Sequence, residues 1–318
     1  MNDTAAAQNV AQAPAGAGMV EGRLAAALAG DGFVFTAETT PGASTDLNRI
    51  SERVAPLKGL ADAVNITDGA GARAHVSSVA AAVRLIADGL EPVLQFTGRD
   101  RNRIALQGDL LGACALGVRN VLCLSGDSVE TGDEPDAKPV FDLDGTRMAA
   151  MFARMRNEGV LNSGRAIDPA PAMLIGVADL PIDPPADWRP SGLEKKIAAG
   201  ADFVQTQYCF DLERARTYMA RLADFGVTER LKFLIGIGPL ASARQARWMR
   251  DNLFGVEIPD GIVDRLEAAA DPRAEGKKIC TDLLHGLREI PGVAGVHLMA
   301  PHQEAACAEL IAESGLRD

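Results

Sequence analysis

The polar residues best placed for chemistry in this chain stand at the ends of short apolar runs. Glu38 closes the run Phe35-Thr36-Ala37-Glu38-Thr39-Thr40-Pro41. A carboxylate among apolar walls is expected to have a raised pKa, the property a general acid needs; the plainer reading is a surface acid at a strand end. Thr67 and Asp68 end a second run, and Thr97, Arg99 and Asp100 follow a third. Asp127 comes after Leu124-Ser125-Gly126, where the glycine permits close backbone approach to a planar ligand. An Asx-turn or a helix N-cap would use the same aspartate. Gln207 closes Val204-Gln205-Thr206-Gln207-Tyr208, and an amide there can offer a donor and an acceptor to a heterocycle edge, or make a hydrogen bond inside the fold. Lys195 and Lys196 are expected to begin a helix, where backbone N–H groups and ammonium charge could hold a phosphate, or else form a solvated face.

Other chemistries have no foothold. The chain has no G-x-G-x-x-G after a strand, no G-x-x-x-x-G-K-[ST], no H-E-x-x-H and no G-x-S-x-G. Its four histidines, His75, His285, His297 and His302, lack ligand spacing, so no catalytic metal is expected. Only His297 has a claim to a site, and it reads better as a satisfied structural histidine.

Residues at strand ends act together only if the strands share a rim. Short apolar runs alternate with longer segments of helical period, the pattern of βα units around a parallel sheet. The expected strands are Phe33 to Glu38, Ala63 to Thr67, Pro92 to Thr97, Asn120 to Leu124, Ala172 to Val177, Phe203 to Gln207, Lys232 to Ile237 and Val293 to Met299, and eight is the closing number of a barrel. Helices are expected between them, with Asp46 as an N-cap and Gly89, Gly117, Gly159 and Gly200 as stops. The fold class is therefore α/β, a (β/α)8 TIM barrel forming a single domain over residues 23–318, after a disordered N-terminal tail over residues 1–22. Two long acidic, Pro-rich connections, Ser128 to Gly145 and Ala178 to Gly192, follow strands and belong on the C-terminal face as a lid, a cofactor cover or a tolerated insertion.

Composition narrows the partners. With 32 basic and 43 acidic residues the net charge is -11, and neither nucleic acid nor membrane is an expected partner. Aromatic residues are 4% of the chain, too few for stacking platforms along a nucleic acid or sugar. The five cysteines never form C-x-x-C and mostly lie in apolar segments, as reduced thiols would. No signal peptide or spanning segment is visible, and the expected location is cytoplasmic.

Taken together the segments resemble the methylenetetrahydrofolate reductase family, flavoprotein (β/α)8 barrels that interconvert 5,10-methylene- and 5-methyltetrahydrofolate in one-carbon and methionine metabolism. The likeness runs in order from about Phe33 to about Gly315. It is carried by Phe35 to Pro41, Val64 to Asp68, Arg99 to Arg103 leading to Leu124-Ser125-Gly126-Asp127, Gln205 to Asp211, Gly236 to Pro239 and Gly295 to Leu298. It implies FAD as cofactor, NADH or NADPH as electron donor, and folate and nicotinamide sharing one site in turn. It further implies Glu38 as the acid that assists opening of the imidazolidine ring, Asp127 beside flavin and pterin, Gln207 on the folate, and Thr67, Gln95, Thr97, Ser125, Gly126, Asp127 and Lys196 around the flavin, the lysine near its phosphates.

Departures accompany the likeness. Gln95 stands where many members have a flavin-contacting histidine, Ser125 where an arginine often precedes Gly-Asp, and Ala243 where a donor-stacking aromatic is often found. Ala178 to Asp183 lacks the Tyr and His that commonly hold the adenine half, a loss the Arg99 to Arg103 run could offset. The alternative is a folate- or flavin-binding barrel subunit that relies on a partner for electron transfer. A barrel lyase is disfavoured, because Lys232 begins its strand and would face the wrong rim. A homo-oligomer is compatible with everything above.

Overall fold

The structure, a computed structural model, describes residues 20–317. The expected tail lies almost wholly outside the described residues. The strands β1 (Val34–Thr39), β2 (Ala63–Ile66), β3 (Pro92–Thr97), β4 (Asn120–Leu124), β5 (Leu174–Asp179), β6 (Phe203–Tyr208), β7 (Lys232–Ile237) and β8 (Val293–Leu298) close a barrel in sequence order. All pairings are parallel, and the ring shuts where Val34 of β1 pairs with Gly295 of β8. This is the expected (β/α)8 architecture. Parallel strands need crossovers, and helices supply them: α2 (Asn48–Val54), α3 (Ser78–Ala87), α4 (Arg103–Ala115), α5 (Gly145–Glu158), α6 (Ser191–Ala198), α7 (Leu212–Asp224), and α8 (Ala243–Asn252), α9 (Asp260–Ala268) and α10 (Pro272–Arg288) together, while α1 (Arg23–Ala29) precedes β1 and α11 (Glu304–Glu313) follows β8.

Strand alternation builds two apolar layers. Outward residues such as Phe35, Ala37, Phe96, Val177 and Ile235 pack beneath the helices in the main core. Inward residues near the strand starts, Val34, Ala63, Val93, Leu122, Phe203 and Leu234, form a second, smaller cluster with Leu24 and Leu28 of α1. The helix α1 thus closes the N-terminal end of the barrel.

That helix was not anticipated, and its capping explains why. Gly22 offers no side chain at its N-terminus, and the cap comes from far along the chain: Glu91, just before β3, accepts from Arg23 N at 2.5 Å and Leu24 N at 3.1 Å. The same carboxylate accepts from Asn120 Nδ2 at 2.8 Å, joining the starts of β3 and β4. Asp46 differs from expectation in a smaller way. It stands two residues before α2, its Oδ1 accepting from Asn48 N at 3.0 Å, rather than at the N-cap itself. Among the described residues no helix is long and apolar enough to cross a membrane.

Removing the Glu91 carboxylate should strand two N-terminal amides of α1 at a cost of about 1 kcal/mol. In Glu91→Ala, urea unfolding is expected to shift by that amount, and hydrogen exchange of the Arg23 and Leu24 amides to accelerate. Unchanged exchange would mean that the apolar contacts of Leu24 and Leu28 alone hold the helix.

Candidate active site

At the C-terminal ends of the strands the barrel opens into a cavity of about 670 Å³. The residues that the resemblance assigns to a site lie in its wall: Glu38 from β1, Thr67 after β2, Gln95 and Thr97 from β3, Ser125, Gly126 and Asp127 after β4, Lys196 from α6 and Gln207 from β6, whereas Lys195, Arg99 and Asp100 do not. Sequence reasoning overlooked other parts of the wall, Asp179, Gln205, Phe254 and Met299, and favoured a structural part for His297 over its claim to the mouth. The signal for Gln205 and His297 was strand alternation, which puts Gln205 on the face of Gln207 and pairs His297 with Thr36.

Thr36 and Glu38 both point into the barrel from β1. Glu38 was expected among apolar walls, and its carboxyl has polar neighbours instead. Gln95 Nε2 donates to Glu38 Oε2 at 2.8 Å, and His297 Nε2 lies 3.6 Å from the same oxygen. The cause lies one layer down, where Thr36, Asn65, Gln205 and His297, all buried, fill space that barrels usually give to branched apolar side chains. Asn65 and Gln205 exchange amide hydrogen bonds of 2.6 and 2.9 Å. Gln205 Nε2 also reaches Thr36 Oγ1 at 3.1 Å and His297 Nδ1 at 3.3 Å, and Thr36 Oγ1 lies 3.0 Å from that ring nitrogen. Thr36 Oγ1 also donates to Val296 O at 3.3 Å, and the ring turns its Nε2 toward Glu38. Nearby, the Tyr208 hydroxyl donates to Met299 O at 2.8 Å, and burial, followed by the Glu38 charge, pushes its pKa well above that of an ordinary phenol.

The far side of the cavity is shaped by irregular backbone. Gln205 pairs with Leu234 but Tyr208 with Gly236, so β6 carries one residue more than β7 across this step. Such a bulge re-aims side chains. The barrel-interior hydrogen bonds considered for Gln207 belong to Gln205. Gln207 stands at the mouth, its Oε1 accepting from Tyr208 N at 2.9 Å and its Nε2 3.4 Å from Phe254 O. After β4, Gly126 has φ 97°, and a Cβ there would fall 3.0 Å from Arg99 Cβ and 3.1 Å from Thr97 Cβ. Only glycine fits, and bare backbone meets the cavity. Asp127 next to it is exposed, with Oδ2 accepting from Gly71 N at 2.8 Å. Ser125 Oγ accepts from Gly145 N at 3.3 Å, at the start of α5.

Charge in the wall is sorted. Asp68 accepts from Thr97 N at 2.9 Å and Thr97 Oγ1 at 3.1 Å, and pairs with Arg101. Asp179 pairs with Lys196 at 3.1 Å and accepts from the Tyr218 hydroxyl. The placement expected for Lys195 and Lys196 is corrected here: α6 begins at Ser191, so both lie in its last turn, away from the free N–H groups. Lys196 Nζ donates to Ala178 O at 2.6 Å instead. The Arg99 to Arg103 run is likewise structural. Arg99 pairs with Asp100 at 2.6 Å, Arg101 also with Asp109 at 3.1 Å and Arg103 with Asp142 at 2.6 Å, while Asn102 caps α4. None of these residues lines the cavity, and Ala243 lies outside it too. Among the described residues, Glu38 and Asp127 are the wall carboxylates with no lysine or arginine ion pair.

The wall fits a flat cofactor with polar edges. Thr67 Oγ1 is buried with no hydrogen-bond partner, an orphan a bound molecule could satisfy, and the Gly126 backbone leaves room for a ring beside it.

Fold and site together define a (β/α)8 barrel with a cavity at its C-terminal mouth, where charged and amide side chains stand among apolar ones. The family model described as methylenetetrahydrofolate reductase matches residues 23–315, and the chain belongs to that family. A Caenorhabditis elegans protein named probable methylenetetrahydrofolate reductase (NADPH) is 26% identical over 250 residues, 76% of this chain and 34% of that one. Methylenetetrahydrofolate reductase 1 of Schizosaccharomyces pombe is 24% identical over 214 residues, 64% of this chain and 32% of its own. The matched stretches amount to about a third of the length of these relatives. In fold, the chain is similar to an uncharacterised Clostridium thermocellum protein that binds two copies of 5-methyl-5,6,7,8-tetrahydrofolic acid, with a TM-score of 0.61 at 13% identity, over 91% of this chain and 98% of that one. A long-chain alkane monooxygenase shares the fold with a TM-score of 0.50 at 13% identity, over 89% and 90% of the two chains.

Because the Thr67 hydroxyl lacks a partner, Thr67→Val should leave the unfolding free energy within about 0.5 kcal/mol of the wild type, or raise it, in urea denaturation. A loss of about 1.5 kcal/mol would show a hydroxyl already bonded.

Proposed function

We propose that the protein interconverts 5,10-methylenetetrahydrofolate and 5-methyltetrahydrofolate through FAD, with NADH or NADPH as electron donor. One observation carries the reading: Glu38, Asp127 and Gln207, drawn from β1, the end of β4 and β6, line a single cavity. The folate-binding protein of the same fold is in keeping with that substrate.

Thr67, Gln95, Thr97, Ser125, Gly126, Asp127 and Lys196 would hold the flavin, Thr67 through its free hydroxyl and Gly126 through its backbone. The chemistry such a cofactor supplies when bound is hydride transport between nicotinamide and folate. Glu38 gives a proton to the folate nitrogen released as the imidazolidine ring opens to the iminium, and takes it back in the reverse direction. The Gln95 amide keeps its carboxyl aimed into the cavity. Asp127, without a cationic partner, favours the positive charge that ring opening creates. Gln207, its amide oriented by Tyr208 N, presents a donor to the pterin edge. Two carboxylates in different surroundings thus take different roles at one pH.

A reducing, cytoplasmic setting suits the thiols, which are all free. Burial pushes Cys114 and Cys209 up to about 11 and Cys307 up to about 12, keeping them protonated and inert.

The test is anaerobic mixing of the protein and FAD with 5-methyltetrahydrofolate. Flavin bleaching is expected in the wild type, and Glu38→Gln should slow it by about 10²- to 10⁴-fold. Bleaching at the wild-type rate in that variant contradicts the acid assignment. No bleaching by folate, NADH or NADPH would favour a barrel that holds folate or flavin for a partner.

A further inference from the structure

Phe254 is the aromatic residue of the cavity wall, and it is 86% exposed. A phenyl ring in water at the mouth of a binding cavity forgoes burial that it would ordinarily gain on folding. The ring is mounted on a firm base. In the connection between α8 and α9, Val256 and Ile258 are buried close by. Gly255, with φ 73°, rests on Leu180, whose Cδ1 would lie 2.5 Å from an added Cβ. Arg214 ties Glu257 of this connection to Asp183 in the long loop after β5, the latter at 3.0 Å. Val256, Ile258, the glycine seat and the ion pairs hold the backbone, so little ordering remains to be done when a ligand arrives.

Phe254 shares the cavity wall with a hydrogen-bond donor. Gln207 Nε2 lies 3.4 Å from Phe254 O, a long contact readily exchanged for a better acceptor. An exposed phenyl ring and an amide at one cavity mouth suit a flat heteroaromatic ligand with polar atoms around its rim. We propose that Phe254 is a stacking platform for the heteroaromatic ring of folate, covering one face while Gln207 reads the edge. The assignment rests on the folate-reductase reading and adds the residue that sets substrate affinity at the mouth. Nicotinamide shares the chemistry of a flat, polar-edged ring, so both ligands belong in the test.

Calorimetric titration of the wild type, Phe254→Ala, Phe254→Leu and Phe254→Tyr with 5-methyltetrahydrofolate, NADH and NADPH, together with steady-state kinetics, decides the matter. Phe254→Ala should weaken folate binding about five- to tenfold and raise KM by a similar factor, with kcat held within about twofold. Phe254→Tyr should restore affinity and Phe254→Leu should not, since a face is needed rather than apolar area. Wild-type affinity in Phe254→Ala, full rescue by leucine, or a loss confined to the nicotinamides would each overturn the platform while leaving the folate reading intact. A wild type that binds no 5-methyltetrahydrofolate would remove that reading and the platform with it.

Discussion

Polar side chains settle inside a barrel only when each finds a partner, and that demand fixes the floor of this cavity. Asn65 and Gln205 satisfy one another, Gln205 Nε2 reaches Thr36 and His297, and the histidine turns its Nε2 up toward Glu38. This polar layer lies directly beneath the Glu38 carboxyl, which Gln95 Nε2 holds at 2.8 Å. Below the polar layer the interior is apolar and closed by Leu24 and Leu28 of α1. The chemistry therefore faces one way, toward the rim.

At that rim the surplus of negative charge is selectively neutralised. Asp68 and Asp179 are held by Arg101 and Lys196, which makes them structural: one fastens the end of β3, the other joins β5 to α6 and α7. Glu38 and Asp127 face the cavity without such partners and stay available to a substrate. In a chain of net charge -11 the basic residues near the site go to bracing loops. The long connection after β4 owes its position to the same bracing, through Arg103 and Asp142.

The barrel was legible in the sequence because each strand is a short apolar run set off from a helical period, and Gly89, Gly117, Gly159 and Gly200 mark the joints. That these polar residues would share one cavity was legible for a related reason, since polar residues ending apolar runs must meet once eight such strands close. What escaped depended on distant partners. Nothing near Arg23 announces that Glu91 will cap α1. The polar floor beneath Glu38 joins Thr36, Asn65, Gln205 and His297 from four separate strands, and no local window contains it. Lys196 was misplaced because α6 starts at Ser191, earlier than its apolar residues suggest. Phe254 gave no signal, a lone aromatic in a loop whose exposure is decided by the buried residues around it.

The central claim is that one cavity takes the folate between Glu38, Asp127 and Gln207, and a crystal structure with 5-methyltetrahydrofolate and FAD tests it most directly. The account predicts the pterin edge within hydrogen-bond reach of Gln207, with the Glu38 carboxyl beside the ring nitrogens. Folate lodged elsewhere, for instance in the cleft between α4 and α5 lined by Arg103, Arg147 and Arg154, with the barrel mouth untouched, would contradict it.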